Sequence, residues 1–432
     1  MSDDLPPQRF QPPFESPSES SPLSSATRSS ASLRDSLTSS HKKWIIVVLA
    51  MISFTHIMDF MVLMPLGPKL MSIFQITPQQ FSFLVSIYSF TAGIFGFLGS
   101  LVFDRLDRKH ALIGAYIGFL FGTLSCALAP TYPVLLMARA LSGAFGGLIS
   151  GISFAIIGDI FSIHERGAAT GKLMASFSLA ATAGVPTGLL LSTKFGWHAP
   201  FTAIVSFGIV AIFIAHKVIP NVNTHLKSHY SSIFSGVIEN LSDGNSRMAL
   251  FTTFMMTLSQ FVVIPFISPY LVSNVGFPES HLPLVYLLGG TITIFSGPWV
   301  GKLCDRFTAQ RVFIKTGLLF ILPVFIITHL HNTSLAITLF VSTMFFMLSN
   351  SRMIPAMTII SSSIPPSRRG SFMSLNSCLQ QLGAAFASFI GGIVVTQAMP
   401  GAEFQGFSHT AYIAATFGVL AYIFGQRIKT VS

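Results

Sequence analysis

Three stretches of this chain hold a charge among residues that are otherwise almost all apolar. Between residues 44 and 66 the ionisable side chains are His56 and Asp59. Between 133 and 160 Arg139 stands alone until Asp159 near the far end. Between 334 and 360 the ionisable group is Arg352, two residues after Asn350. Apolar segments of roughly 20 residues are long enough to cross a bilayer as helices. A charge inside such a segment is costly and marks a functional position by default. Asp59 lies seven residues before the end of its segment, and Arg139 six residues after the start of its own. At about 1.5 Å per residue, both sit about 10 Å inward from the same side. An acid and a guanidinium at equal depth can pair, which is the least costly way to hold either charge. Protonating the acid releases the arginine, the elementary chemistry of a proton switch; a fixed ion pair that sets helix packing is the alternative. His56 is three residues before Asp59 on the same helix face, as a proton relay or as a hydrogen-bonded packing group.

Arg352 has no carboxylate at matching depth. Facing a wet central cavity, it would contact an anionic or polar substrate; bonded to helix carbonyls, it would be structural. Asn350, Gln260, Gln380 and Gln381 are further polar candidates for a cavity wall. The chain lacks the Gly-x-x-x-x-Gly-Lys-[Ser/Thr] phosphate loop that would let ATP drive it. It shows no metal-ligand cluster and no nucleophile elbow, so neither a metal, a cofactor nor an enzyme is expected. Cys126, Cys304 and Cys378 are at no metal-like spacing and read as small apolar fillers.

The elements that must position these groups follow from composition. With 51% hydrophobic and only 9% charged residues, the chain has too little charge to cover a water-facing surface, so its main solvent is lipid. The net charge of +10 does not point to nucleic acid, because the basic residues sit in short loops between apolar segments. Twelve spans are read at 44–66, 81–103, 111–129, 133–160, 172–193, 200–218, 248–272, 282–300, 312–330, 334–360, 371–396 and 410–426. Residues 1–43, rich in Ser and Pro, are expected to be a disordered tail with no secretory signal. Residues 44–218 and 248–432 then form two six-helix bundles with a short C-terminal tail, and 219–247 the linker between them. The many Phe and Met residues are lipid-facing bulk or the lining of an adaptable cavity.

Two landmarks recur at nearly one period. Asp104-Arg105 and Asp305-Arg306 are 201 residues apart, and Glu165-Arg166-Gly167 echoes Arg368-Arg369-Gly370 at a spacing of 203. Such a period means an internal duplication of half the chain. With the N-terminus inside, 18 Lys and Arg residues fall on the inner side and two, Lys69 and Lys194, on the outer. Both termini are therefore expected in the cytoplasm, in an inner or cytoplasmic membrane.

Six plus six spans with a repeated charged loop after the second span of each half resemble the major facilitator superfamily. The family loop, roughly Gly-x-x-x-Asp-Arg-x-Gly-Arg-Lys, appears here as Ser100-Leu-Val-Phe-Asp104-Arg105-Leu-Asp107-Arg108-Lys109, and again around Gly301, Asp305 and Arg306. Asp59 followed by Pro65, Arg139-Ala-Leu-Ser142-Gly143, and Gly184-Val-Pro186-Thr-Gly188 resemble motifs of its drug:proton antiporter and arabinose-efflux-like group. The resemblance implies an all-α membrane fold of two pseudo-symmetric bundles and a coupling role for Asp59 and Arg139. It also implies a conformational latch between the halves built from Asp104, Arg105, Arg108, Asp305 and Arg306. Arg139, Gly143, Gly146 and Ser150 make a narrow small-residue face, as do Ala180, Gly184 and Gly188, with Pro186 bending the helix. These faces are expected to pack closely and to form a flexing or sealing interface between the halves. The function so expected is secondary transport by alternating access, in the form of proton-coupled efflux of a small organic or drug-like molecule. Proton-coupled or facilitated uptake of a sugar-like or anionic metabolite is the alternative, and a non-transporting membrane sensor a more distant one. Partners are the small-molecule substrate, protons and the lipid bilayer, with the chain as a monomer.

Overall fold

The computed structural model describes residues 37–103, 106–222, 233–365, 368–399 and 401–429. Twelve helices in it are long and apolar enough to cross a membrane. In order they are Ser39–Val62, Pro78–Gly99, Arg108–Ala127, Tyr132–Ile160, His164–Phe195 and Ala199–Val218, then Gly244–Ser273, Glu279–Phe307, Ala309–Thr328, Leu335–Ser362, Arg369–Val394 and Phe407–Gly425. Each overlaps its sequence expectation, and the differences have local causes. The first span stops at Val62, where the chain turns and restarts as a short helix, Gly67–Phe74. Pro65 and Pro68 lack amide protons and cannot continue a helical ladder. The fifth span begins eight residues earlier than expected, because Ser162 and Glu165 form a capping box that carries the helix beyond its apolar part.

Two spans are interrupted. In the fifth, a π turn at Ala180–Gly184 precedes Pro186. The proline ring crowds the carbonyl four residues back, that of Thr182, and the wider turn relieves it. The seventh breaks between Phe261 and Ile264, just before Pro265. Outside the spans, Ile233–Ser242 is a helix within the connecting segment, and Thr396–Gln397 pairs antiparallel with Phe404–Gln405. Asn274 pins that hairpin, donating to the Phe404 carbonyl at 2.9 Å and accepting from its amide at 2.8 Å.

Span pairing repeats with an offset of six. Neighbours 1–5, 1–6, 2–4, 3–4 and 3–6 in the first half are matched by 7–11, 7–12, 8–10, 9–10 and 9–12 in the second. The halves meet along spans 2 and 11 and along spans 5 and 8, pairs that the same offset exchanges. That contact is tight at the end away from the basic loops. A Cβ at Gly67 would stand 2.8 Å from Pro269, and one at Gly392 would collide with Ser82. Phe83 stacks on Phe389 with ring centroids 5.7 Å apart, and Phe60 meets Phe261 at 5.9 Å. At mid-depth, Gly290 of span 8 closes on Thr182 of the π turn, and Gly93 of span 2 on Gln381. Among the described residues, the assigned hydrogen bonds and ion pairs run within one half; across the halves the contact is van der Waals. Phe121, Phe213, Phe295 and Phe340 are exposed, as lipid-facing apolar side chains must be.

The connecting segment ends in a cap. Asp243 precedes the seventh span and accepts from the Ser246 amide at 2.8 Å and the Ser246 hydroxyl at 2.6 Å. The Ser246 hydroxyl bond, with further help from that amide and from Arg368, holds its carboxyl below the usual carboxylate range. Asp243→Ala is expected to cost about 1 kcal/mol of stability. Because the folded-state pKa is depressed, the wild-type advantage is present above the ordinary carboxylate range and fades as pH falls through the lowered value. Thermal melts of the two proteins from neutral to acidic pH check both statements.

Candidate functional site

Asp59 and Arg139 meet. Arg139 Nη1 donates to Asp59 Oδ2 at 2.7 Å and approaches the Asp59 backbone carbonyl at 3.4 Å; both side chains are 0% exposed. The antiparallel course of spans 1 and 4 brings the two residues to one depth, as their spacing from the span ends requires. The guanidinium lies over the ring of Tyr88 on span 2, 4.2 Å from its centroid, a desolvated cation–π contact. Glycines allow this approach. A Cβ at Gly143 would strike the Tyr88 backbone, and one at Gly122 would stand 2.7 Å from Ser142.

The pair uses only part of its hydrogen-bonding capacity. Among the described residues, Asp59 Oδ1, Arg139 Nε and Nη2, and the Tyr88 hydroxyl are buried with no assigned hydrogen-bond partner, and the Thr123 hydroxyl lies beside Asp59. A buried polar group without a partner is costly, so such a cluster is where a fold holds energy for function. Sequence reasoning missed Tyr88 and Thr123. The signal was a tyrosine in mid-span, since a hydroxyl inside hydrocarbon must serve some polar group.

His56 lies one turn from Asp59 but is directed elsewhere. Its Nδ1 is 3.3 Å from the Ser53 carbonyl, its Nε2 3.3 Å from the Ser150 hydroxyl, and its ring meets Phe119 edge-on. The imidazole therefore bridges spans 1 and 4 below the ion pair.

Arg352 does not line a cavity. It is 0% exposed inside the second bundle, donating to Ser259 Oγ at 3.2 Å, Tyr422 Oη at 3.3 Å and the Met256 carbonyl at 3.3 Å. Its guanidinium sits 3.9 Å above the Phe320 ring. The expectation of a substrate contact is corrected here. The side chain turns towards spans 7, 9 and 12, where hydroxyls and an aromatic face hydrate it in place of water. Asn350, Gln260, Gln380 and Gln381 are half-buried, and Gln381 packs against Gly93 at the contact between halves.

The small-residue faces also turn inward. Gly143 and Gly146 of span 4 face Tyr88, and Gly184 and Gly188 of span 5 face Met58 and Val62 of span 1. They close the first bundle, not the interface between halves as expected, because the face that bears Arg139 must turn towards Asp59. The latch residues divide. Asp104 and Arg105 lie outside the described residues. Arg108 reaches Asp159 at 3.4 Å, tying the start of span 3 to the end of span 4. Asp305 and Arg306 are exposed at the end of span 8; Arg306 lies over Phe307, and neither has an ion-pair partner among the described residues. Asp107, where the family loop has glycine, caps the third span by accepting from the amides of Lys109 and His110 at 2.9 and 3.3 Å.

The sequence profile of the Major Facilitator Superfamily matches residues 49–243 and 249–429. The chain belongs to the major facilitator superfamily. It is a multi-pass membrane transporter of a small molecule, not an enzyme. Among curated proteins of this family it is similar to the uncharacterized MFS-type transporter YceJ of Bacillus subtilis, 24% identical over 82% of this chain and 90% of that protein. It is also similar to the lincomycin resistance protein LmrB of Listeria innocua, 22% identical over 74% of this chain and 79% of that protein. Among solved structures, a bacterial homologue of the human lysosomal transporter Spinster, inward-facing and unoccupied, superposes with a TM-score of 0.72 at 14% identity, covering 90% of this chain and 98% of that one. A D-xylose–proton symporter does so at 0.72 and 16%, covering 90% and 99%. These likenesses establish the shared fold.

Proposed function

We propose that this transporter is a proton-coupled exporter of a small organic molecule, with Asp59 and Arg139 as the coupling pair. The observation that carries this reading is the sealed ion pair, with one carboxylate oxygen and two guanidinium nitrogens unpartnered. When Asp59 takes a proton, Arg139 is left as a buried, unpaired cation. Removing one partner of a buried pair costs about 3–5 kcal/mol, which shifts a two-state equilibrium by roughly two to four powers of ten. The conformation that seals the pair is thereby disfavoured, and the halves rock until Arg139 is solvated or re-paired. Their contact, apolar among the described residues, suits such movement. Names of relatives such as the lincomycin resistance protein support efflux. The excess of Lys and Arg at one end supports a cytoplasmic placement of both termini, with the opposite, tightly closed end facing out. The protein acts as a monomer in a cytoplasmic membrane.

The test is proton movement in proteoliposomes, wild type against Asp59→Asn, on addition of ethidium or lincomycin. Substrate-dependent proton flux in the wild type that disappears in Asp59→Asn is the expected result. Equal transport by both proteins with no proton flux would make the pair a packing element in a uniporter.

A further inference from the structure

Histidines apart, the end away from the basic loops carries four charged side chains, and they are divided by half. Lys69 and Lys194 belong to the first bundle, Glu279 and Glu403 to the second. At the basic end, by contrast, both halves hold more Lys and Arg than Asp and Glu. Opposite charges at one end and like charges at the other favour a single tilt of the halves. Resting on the rocking of the halves in the proposed function, we infer that Lys69 and Glu279 form an electrostatic clasp that holds the outer end shut.

The two residues line one cleft of about 270 Å³ between the halves. Pro65, Lys69 and Ser192 wall it from the first bundle, Glu279 and Leu282 from the second. Charges on the walls of so small a cleft act on each other across it, and the apolar side chains beside them keep the local dielectric below that of water. Lys69 is half-buried and its charge is fixed in place. Its Nζ donates to the Ser192 carbonyl at 2.5 Å and lies 3.5 Å from the Ser192 hydroxyl. That carbonyl is in the last turn of Val185–Phe195, where a helix end attracts a cation. Glu279 stands just before Leu282–Phe307, the body of span 8. It is exposed and, among the described residues, has no ion-pair partner.

No assigned bond joins Lys69 to Glu279, and the clasp needs none. The seal itself is apolar packing, with Gly67 against Pro269 and Gly392 against Ser82. Across that seal the two charges add an attraction that lasts only while the halves are together. When the outer end opens, Lys69 stays with Ser192 on the first bundle and Glu279 leaves with span 8. The clasp therefore weights the resting protein towards the outer-closed arrangement.

Distances between spin labels on the purified full-length protein, measured by double electron–electron resonance, read the position of the halves without substrate. Thr131→Cys and His331→Cys place one label on each half at exposed outer positions outside the cleft. Cys304 and Cys378 are replaced by serine, and the buried Cys126 is kept. Glu279→Lys, which sets two cations on one cleft, is expected to raise the ratio of long to short distances by about tenfold at low salt. Glu279→Gln is expected to raise it about threefold, and Lys69→Glu added to Glu279→Lys to bring it back. These differences should shrink in salt of about 1 M, where screening acts within roughly 3 Å. An unchanged ratio in Glu279→Lys, or a charge swap that fails to restore it, overturns the clasp. Asp59→Asn separates the two readings. If it lengthens the distance and Glu279→Lys does not, the halves rock and the clasp is wrong. If Glu279→Lys alone lengthens it, the clasp stands and the coupling role of Asp59 fails.

Discussion

Asp59→Ala lowers the stability of the folded protein by about 3–5 kcal/mol, and Arg139→Met added to it restores much of the loss. The single variant leaves a guanidinium with 0% exposure against the Tyr88 ring and the backbone carbonyl of residue 59, with no carboxylate to answer it. The double variant replaces that cation with an apolar side chain of similar length that fits the same slot. The non-additivity is the measurement: a double-mutant cycle on thermal melts in detergent should give a coupling of several kcal/mol. Additive losses would mean that the two side chains do not interact in the folded protein. The same energy drives the proposed switch, because protonation neutralises Asp59 much as the alanine variant removes it.

Arg352→Lys is expected to be more damaging than Arg352→Met. Lysine keeps the charge but loses the planar fork that reaches Ser259, Tyr422 and the Met256 carbonyl together while lying flat on Phe320. An ammonium with fewer bonds, equally buried, costs about 1–3 kcal/mol. Methionine fills the cage without a charge, and apolar replacement of a buried ionic group is often neutral. Melting temperatures rank the variants, and transport assays separate this role from substrate contact. Loss of transport in Arg352→Met at full stability would return Arg352 to the substrate site.

The two arginines show what could be read in advance. Arg139 was legible because its partner is encoded at the same depth in another span; two distances counted along the chain suffice to pair them. Arg352 has no such partner. Its cage comes from Ser259, Tyr422, Met256 and Phe320 on three other spans, and no spacing rule reaches across them. Of the tail expected at 1–43, residues 1–36 lie outside the described residues, as do Asp104 and Arg105, whereas Ser39 to Lys43 already belong to the first helix.

The order of apolar segments, the near-200-residue repeat and the depth of the intramembrane charges are local properties, and they determine twelve spans in two related bundles with Asp59 and Arg139 within reach. Lipid solvent makes them legible, since it forces every span to be long, apolar and helical. The rotation of each helix about its axis is another matter. A span that is apolar all round carries little record of which face turns inward, and rotation is decided by close packing against neighbours. Only the tertiary structure could turn Gly143 and Gly146 into their own bundle, bury Arg352 among spans 7, 9 and 12, and place Tyr88 opposite His56 across a glycine.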